Sequence, residues 1–175
     1  TNLHAAMPNY PERGDVAKAN AMLDAAGFAK NSDGVRLNGV LDIIPYGEDW
    51  RRAGEYLKQV MGDIGINLEL RYEDVPTWLK RVYHRYDFQM NVNYFYQLPD
   101  PVLGVHRHYG TDQIRKGTHF VNSSRYSNPT LDALLDSGAG EPDAAKRTAA
   151  YNEIQQILAN DMPVVNLFEL EFLVV

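Results

Sequence analysis

Two kinds of apolar spacing alternate between residues 35 and 94, and this order restricts the possible folds more than any other feature. Residues 35–44, 66–72 and 88–94 alternate apolar with polar side chains, as β-strands do. Residues 50–64 carry apolar side chains every three or four positions, and a shorter helical segment starts near Pro76. Strands and helices joined by such short connections predict a mainly parallel sheet with right-handed crossovers, flanked by helices in an α/β architecture.

The rest of the chain is predicted to be mostly helical. Asp15 is placed to cap a helix that runs to about Ala26, and Asn128 is placed to cap another whose first residue is proline. A longer helix is expected to open at Pro142. Residues 163–168 are typical of one more buried strand, and residues 1–14, which contain two prolines and a glycine, of an extended arm.

Composition excludes several classes of function. The 175 residues contain 17 Lys plus Arg against 23 Asp plus Glu, for a net charge of -6, so a nucleic-acid binder is not expected. The absence of cysteine excludes disulfides, thiol catalysis and zinc-thiolate sites. No run of 18 apolar residues is present, so no membrane span is predicted.

The two ends suggest a piece of a longer protein. The sequence starts at Thr1 without an initiator methionine, and it stops inside the apolar stretch 167–175. An unpaired apolar strand at a natural terminus would invite aggregation. We therefore expect residues 167–175 to be a truncated terminal strand, and residues 1–175 to be one lobe of a larger protein.

The candidate site follows from the predicted sheet. Ligands of open parallel sheets bind beyond the carboxyl ends of the strands, which selects the loops at 45–49, 73–76 and 96–101. The third loop follows a tyrosine-rich strand, and tyrosine offers a wide contact surface with a polar tip. Some of these aromatic residues are equally suited to the sheet core, and Asp100 could simply cap the next helix. The predicted ligand-binding residues are Tyr46, Tyr94, Tyr96, Gln97 and Asp100.

Other chemistries have weaker support. His106, His108 and His119 could form a metal site, although the first two would lie about 200° apart on a helix. The carboxylate pairs 48–49 and 73–74 could act as acid and base, but carboxylates are also favoured at helix starts. Nucleophile-elbow and phosphate-binding glycine motifs are absent from the sequence. We predict no catalytic residue, no bound metal and no cofactor.

Six motifs, in order along residues 10 to 168, resemble those of the extracytoplasmic solute-binding proteins of ABC importers, family 5, the peptide, opine and nickel group. They are DVAKANAMLDAAGF at 15–28, DIGINLEL at 63–70, YDFQM at 86–90, PDP at 99–101, YSNPTLDALL at 126–135, and the group formed by Lys146-Arg147, YNEIQQIL at 151–158 and MPV at 162–164. The resemblance implies the C-terminal lobe of a type II periplasmic binding protein roughly three times longer. It also implies an exported, periplasmic location, a monomer, and delivery of a peptide or other small solute to a membrane permease.

One position departs from the pattern that the resemblance implies. Peptide-binding members of the family carry an aspartate three residues before the aspartate of PDP, where it holds the free amino group of the ligand. This sequence has Gln97 there, and a neutral amide does not neutralise an ammonium group. A neutral polar solute, such as a sugar derivative or a modified peptide, is therefore expected. A sensor or chaperone-like protein of the same fold and a small hydrolase using Asp49, Asp74 or His106 remain alternatives.

Overall fold

A parallel three-stranded sheet forms the centre of the fold, in the computed structural model, which describes residues 14–96 and 98–168. The strands are β1 (Leu37–Ile43), β2 (Ile66–Tyr72) and β3 (Met90–Val92), in the order β2-β1-β3. Leu37 pairs with Ile66 on one side of β1, and Leu41 pairs with Met90 on the other. The predicted α/β class with a mainly parallel sheet is confirmed.

Helices cover the sheet because parallel strands are buried on both faces. Helix α2 (Glu48–Asp63) follows β1, and α3 (Val75–Leu79) follows β2 and continues as a π-helical turn from Lys80 to Arg85. Gly54 lets α2 approach β1 closely, since a Cβ built on it would lie 2.6 Å from Ile43 Cδ1. The core around the sheet includes Ile43, Leu68, Trp78, Val82 and Tyr83.

A second core lies between two helices further along the chain, α5 (Pro129–Gly140) and α6 (Ala144–Asp161). Leu131 and Leu135 of α5 pack with Tyr151 and Ile154 of α6. The short helix α4 (Val105–Tyr109) contributes Val105 and Tyr109 to the same cluster. Among the helices of the described residues, none combines the length and apolar character needed to cross a membrane.

Most predicted helix starts are observed. Asp15 caps α1 (Val16–Ala25) by accepting a hydrogen bond from Lys18 N at 2.8 Å. Asn128 accepts from Thr130 N and Leu131 N at the start of α5. Helix α6 begins slightly later than the predicted opening at Pro142, because the Asp143 carboxylate caps it instead. None of the residues of α1 is buried.

Two strand predictions need correction. The third strand covers only Met90–Val92 instead of 88–94, and the chain leaves the sheet at Asn93, whose side-chain oxygen accepts from Tyr94 N at 2.8 Å. Such local side-chain bonds compete with the ladder. Residues 163–168 form no strand, because no strand within 14–96 or 98–168 pairs with them.

Three sequence predictions fall wholly or largely outside the described residues. They are the extended arm at 1–14, of which only Gly14 is described, the terminal strand at 167–175, of which only residues 167 and 168 are described, and the side chain of Gln97.

Candidate functional site

The loop after β1 places Tyr46 at the carboxyl end of the sheet. Ile44 is still buried, and Tyr46 N donates to Ile44 O at 2.9 Å, so the chain turns sharply there. Gly47 then takes a φ of +112°, in the region where a side chain would be strained, and α2 begins at the next residue. This turn leaves Tyr46 exposed and brings Trp50 to the first turn of α2.

Five aromatic side chains meet beside this turn, and we call them the aromatic shelf. Tyr94 lies at the centre, with ring centroids 6.2 Å from Tyr46, 5.8 Å from Trp50 and 4.8 Å from Tyr96. Phe168, from the far end of the described chain, lies 5.8 Å from Trp50. Three of these four contacts are edge-to-face and the contact of Phe168 is tilted, which are the arrangements that aromatic pairs favour.

The shelf has a buried base and an open surface. Trp50 is only 8% exposed, whereas Tyr46, Phe168 and Tyr96 are 44%, 51% and 66% exposed. Exposed aromatic groups clustered at one place are typical of a binding surface rather than of a closed core. The shelf therefore offers flat apolar faces together with tyrosine hydroxyls to a molecule that lies over it.

The tyrosine hydroxyls of the shelf are suited to neutral hydrogen bonding. Burial raises the pKa of Tyr94 to about 12, and a hydrogen bond to Tyr96 acts in the same direction. Tyr94 is therefore uncharged throughout the physiological range and can donate or accept a hydrogen bond. Such groups recognise polar organic molecules without requiring a charge on them.

Polar contacts beneath the shelf fix the start of its loop. Asn93 donates from Nδ2 to the Tyr83 hydroxyl at 2.7 Å, while its oxygen accepts from Tyr94 N. Tyr83 is fully buried, and burial raises its pKa to about 12. The backbone that presents Tyr94 is thus tied to the core of the sheet.

Asp100 is engaged by neighbouring protein groups. Its Oδ1 accepts from Val102 N at 3.0 Å and from Arg147 Nη2 at 2.7 Å. The backbone bond from Val102 is the main cause that lowers the pKa of Asp100, and Arg147 adds to it. Arg147 also donates from Nε to Gly138 O at 3.1 Å. Asp100 therefore anchors the loop to α5 and α6, and a direct contact with a ligand stays a prediction.

Phe95 does not belong to the aromatic shelf, because it packs on a buried histidine. Its ring centroid lies 3.9 Å from that of His108, which is buried. Burial lowers the pKa of His108 to about 4, and the nearby positive charge of Arg107 acts in the same direction. His108 is therefore neutral at physiological pH.

The histidines considered as a metal site are not brought together. His106 Nε2 lies 3.0 Å from Asp112 Oδ1, His108 packs on Phe95, and His119 contacts His84. Within 14–96 and 98–168, no group of three or more His, Asp or Glu side chains is placed to hold a metal ion.

The paired carboxylates are used at helix starts and in ion pairs. Glu73 accepts from Arg81 Nη2 at 2.6 Å, and Asp74 caps α3 by accepting from Thr77 N at 2.8 Å. Glu48 and Asp49 lie in the first turn of α2, where negative charge is favourable. Helix capping, first-turn positions and ion pairing therefore explain where these carboxylates lie, without a role in acid–base catalysis.

Two members of the shelf were missed from the sequence. The helical spacing of residues 50–64 includes Trp50 but does not predict its contact with Tyr94, although its position directly after the loop 45–49 is a usable signal. Phe168 was assigned to a strand. It reaches the shelf from 74 residues beyond Tyr94, and no periodicity predicts that contact.

Comparison with known proteins identifies the family. Residues 1–115 match the family described as bacterial extracellular solute-binding proteins, family 5 Middle. The chain belongs to this family. Membership agrees with the six motifs and with the helix-flanked parallel sheet.

Two curated relatives of this family 5 chain are longer proteins. Protein XP55 of Streptomyces lividans is 28% identical over 84% of this chain and 27% of its own length. Di/tripeptide-binding protein 1 of Pseudomonas aeruginosa (strain UCBPP-PA14) is 25% identical over 86% of this chain and 27% of its own length. The chain thus spans about a quarter of the curated relatives it matches.

Solved structures of binding proteins from ABC transporters share the fold. The periplasmic oligopeptide-binding protein of an ABC transporter from Thermotoga maritima, solved with mannohexaose bound, superposes with a TM-score of 0.78. It is 25% identical and covers 85% of this chain, which corresponds to 30% of that protein. The similarity supports a type II periplasmic binding protein fold for the described part.

Proposed function

We propose that this chain is the C-terminal lobe of the substrate-binding component of an ABC importer, and that the aromatic shelf contacts the solute. The observation that carries the proposal is the open shelf at the carboxyl ends of the strands, in a chain of family 5. This is the place where open parallel sheets bind ligands. Tyr46, Tyr94 and Tyr96 are the proposed contacts, with Gln97 and Asp100 as further candidates.

The proposed mechanism is closure of two lobes on the solute. Tyr96 and Tyr46 are too exposed to enclose a small molecule by themselves, so a second lobe has to cover the other side. A ligand that contacts both lobes favours the closed state over the open one. Affinity then depends on both surfaces, because binding sites usually bury most of the ligand.

We propose a neutral polar solute. The tyrosines of the shelf are uncharged donors and acceptors, and Gln97 is neutral by sequence. Two relatives are described by different chemistries, di- and tripeptides in one and mannohexaose in the other. A sugar derivative or an N-blocked peptide combines polar groups with faces that stack on tyrosine, so both are proposed ahead of a free-amino peptide.

The wider role follows from the family. The family name describes extracellular proteins, and we propose a periplasmic location for this one, with transfer of the solute to a membrane permease. We also propose that the protein works as a monomer and that it binds its solute without catalysis. The engagement of Asp74 and His106 in helix capping and ion pairing supports binding over hydrolysis.

Substitution of Tyr96 tests the role of the shelf. The full-length protein is titrated calorimetrically with a free-amino tripeptide, its N-acetylated form and mannohexaose. For the probe that binds, Tyr96→Ala is expected to weaken affinity at least tenfold, because a stacking face is lost. Tyr56→Ala is the matched control, since Tyr56 is 65% exposed on α2 and contacts no shelf ring in the described residues. Equal affinities of the Tyr96 variant and the wild type would refute the role.

The same titrations test the solute class. Preference for the N-acetylated peptide or mannohexaose is the expected result, because an ammonium group finds no carboxylate at position 97. A clear preference for the free-amino peptide would contradict the proposed neutral solute while leaving the shelf and the family intact.

A further inference from the structure

Two histidines far apart in the sequence meet at the end of the π-helical turn. His84 Nε2 lies 3.2 Å from His119 Nε2, with ring centroids 5.4 Å apart and ring planes at 51°. As a hydrogen bond, this contact needs one nitrogen to carry a proton and the other to accept it, so the two rings would take opposite tautomers there.

The fold holds the two rings near each other. Gly117 N donates to Tyr83 O at 2.8 Å, which fixes the loop before His119 to the residue before His84. The buried Tyr83 ring packs 5.7 Å from the His119 ring, and Arg107 Nη2 donates to His119 O at 3.2 Å. The proximity of the imidazoles therefore comes from the backbone and the core, and a ligand does not have to create it.

The nitrogen spacing matches that of a shared metal ion. Zinc bonds imidazole nitrogen at about 2.0–2.1 Å, so an ion equidistant from nitrogens 3.2 Å apart would subtend an angle of about 100°, near the tetrahedral value. The two Nε2 atoms point nearly at each other. To bind one ion, the rings have to rotate so that the lone pairs of both atoms point toward the metal. His84 is exposed and can make this turn.

We propose that His84 and His119 form a binding site for a divalent transition ion, which replaces the shared proton and bonds both Nε2 atoms. Imidazole suits Zn²⁺, Ni²⁺ and Cu²⁺, whereas Ca²⁺ and Mg²⁺ require oxygen ligands. Because no third His, Asp or Glu joins the pair within the described ranges, water or an external ligand completes the coordination. Such a site binds more weakly than a structural site with four protein ligands.

The site is independent of the proposed solute-binding role. The shelf consists of Tyr46, Trp50, Tyr94, Tyr96 and Phe168, and the histidine pair belongs to the π-helical turn and the loop after Gly117. Loss of metal binding would therefore leave the proposal for the shelf unchanged, and the reverse also holds.

Zinc titration of the full-length protein, without an affinity tag, tests this site. We expect one Zn²⁺ per chain, with imidazole ¹⁵N shifts at His84 and His119 on the same titration curve. His84→Gln and His119→Gln are each expected to weaken binding at least tenfold, because one of two ligands is lost. Mg²⁺ is expected to give no shift.

His106→Gln is the control, since the His106 imidazole contacts Asp112 and does not belong to the pair. It should bind zinc as the wild type does. Zinc affinity of the His119 variant equal to that of the wild type, or loss of zinc binding only in the His106 variant, would overturn the proposal. The wild-type imidazole spectrum provides a second measurement that does not depend on the variants folding, and unchanged His84 and His119 signals there would also overturn it.

Discussion

Asp42 is the most unusual residue of the sheet, because its carboxylate is fully buried in β1. Neither oxygen accepts a hydrogen bond from the described residues, and Arg71 and Arg81 lie 3.5 and 3.7 Å away. Arg81 is shared with Glu73 and Asp87, so it compensates Asp42 only in part. Burial raises the pKa of Asp42 to about 6, against the partial opposition of the two arginines.

The raised pKa predicts that Asp42 stabilises the fold more at acidic than at neutral pH. The native state binds a proton more tightly than the unfolded state does, so this contribution is complete below about pH 4 and is lost as the pH rises through about 6. The rise of its pKa from the ordinary 3.8 to about 6 corresponds to about 3 kcal/mol. Asp42→Asn should remove this contribution, measured as urea unfolding at pH 4 and pH 7. Asp49→Asn, an exposed control, should keep the pH dependence of the wild type.

His108 predicts the opposite dependence in nearly the same pH range. Its pKa is lowered to about 4 by burial, so the unfolded state binds the proton more tightly and stability is lost as the pH falls from about 6.5 to 4. Between pH 6.5 and pH 4, we expect acidification to destabilise His108→Gln less than it destabilises the wild type. We expect it to destabilise Asp42→Asn more. If the melting temperatures of both variants changed in the same direction relative to the wild type as the pH is lowered, the roles given to Asp42 and His108 would both be contradicted.

At the scale of elements, one ion pair connects the loop of the shelf to the second core. Arg147 of α6 contacts Asp100 Oδ1 and Gly138 O, and Asp100 caps the turn that begins at Pro101. Bonds between charged groups in fixed geometry are stronger than ordinary surface pairs. The α5–α6 pair therefore supports the position of the loop.

A double-mutant cycle tests this connection. Arg147→Gln and Asp100→Asn should show a larger coupling in thermal unfolding than Arg115→Gln and Asp112→Asn, whose exposed pair is separated by 3.4 Å. Arg147→Gln should also weaken solute binding several-fold in the full-length protein, because the loop is less well positioned. Equal coupling in the two cycles would exclude a special role for Arg147.

The elements differ in how well the sequence predicts them, and the reasons are physical. Helix starts at Asp15 and Asn128 depend on one side chain and nearby backbone, so they are readable from local sequence. The end of β3 depends on Asn93, which could equally have continued the strand. Burial of Asp42 and the contact between Trp50 and Phe168 depend on which elements pack together, and alternation of residues along one strand does not contain that information.

At the scale of the whole molecule, we propose that the shelf is one half of a solute-binding site. Trp50 is buried and Tyr94 is half-buried, and together they form the base of the shelf. Tyr46 and Tyr96 have much of their surface exposed. The chain corresponds to 30% of the Thermotoga maritima protein that shares its fold. The proposal of two lobes explains why a family 5 chain carries an open aromatic surface at these residues.

Calorimetry of the full-length protein beside the isolated chain, using the probe that binds, tests the central proposal most directly. We predict that the full-length protein binds at least 100-fold more tightly, because only two lobes bury the solute on both sides. Circular dichroism of the isolated chain serves as the control for folding. Equal affinity of the two proteins, with the isolated chain folded, would show that the site is complete within these 175 residues and would contradict the proposal.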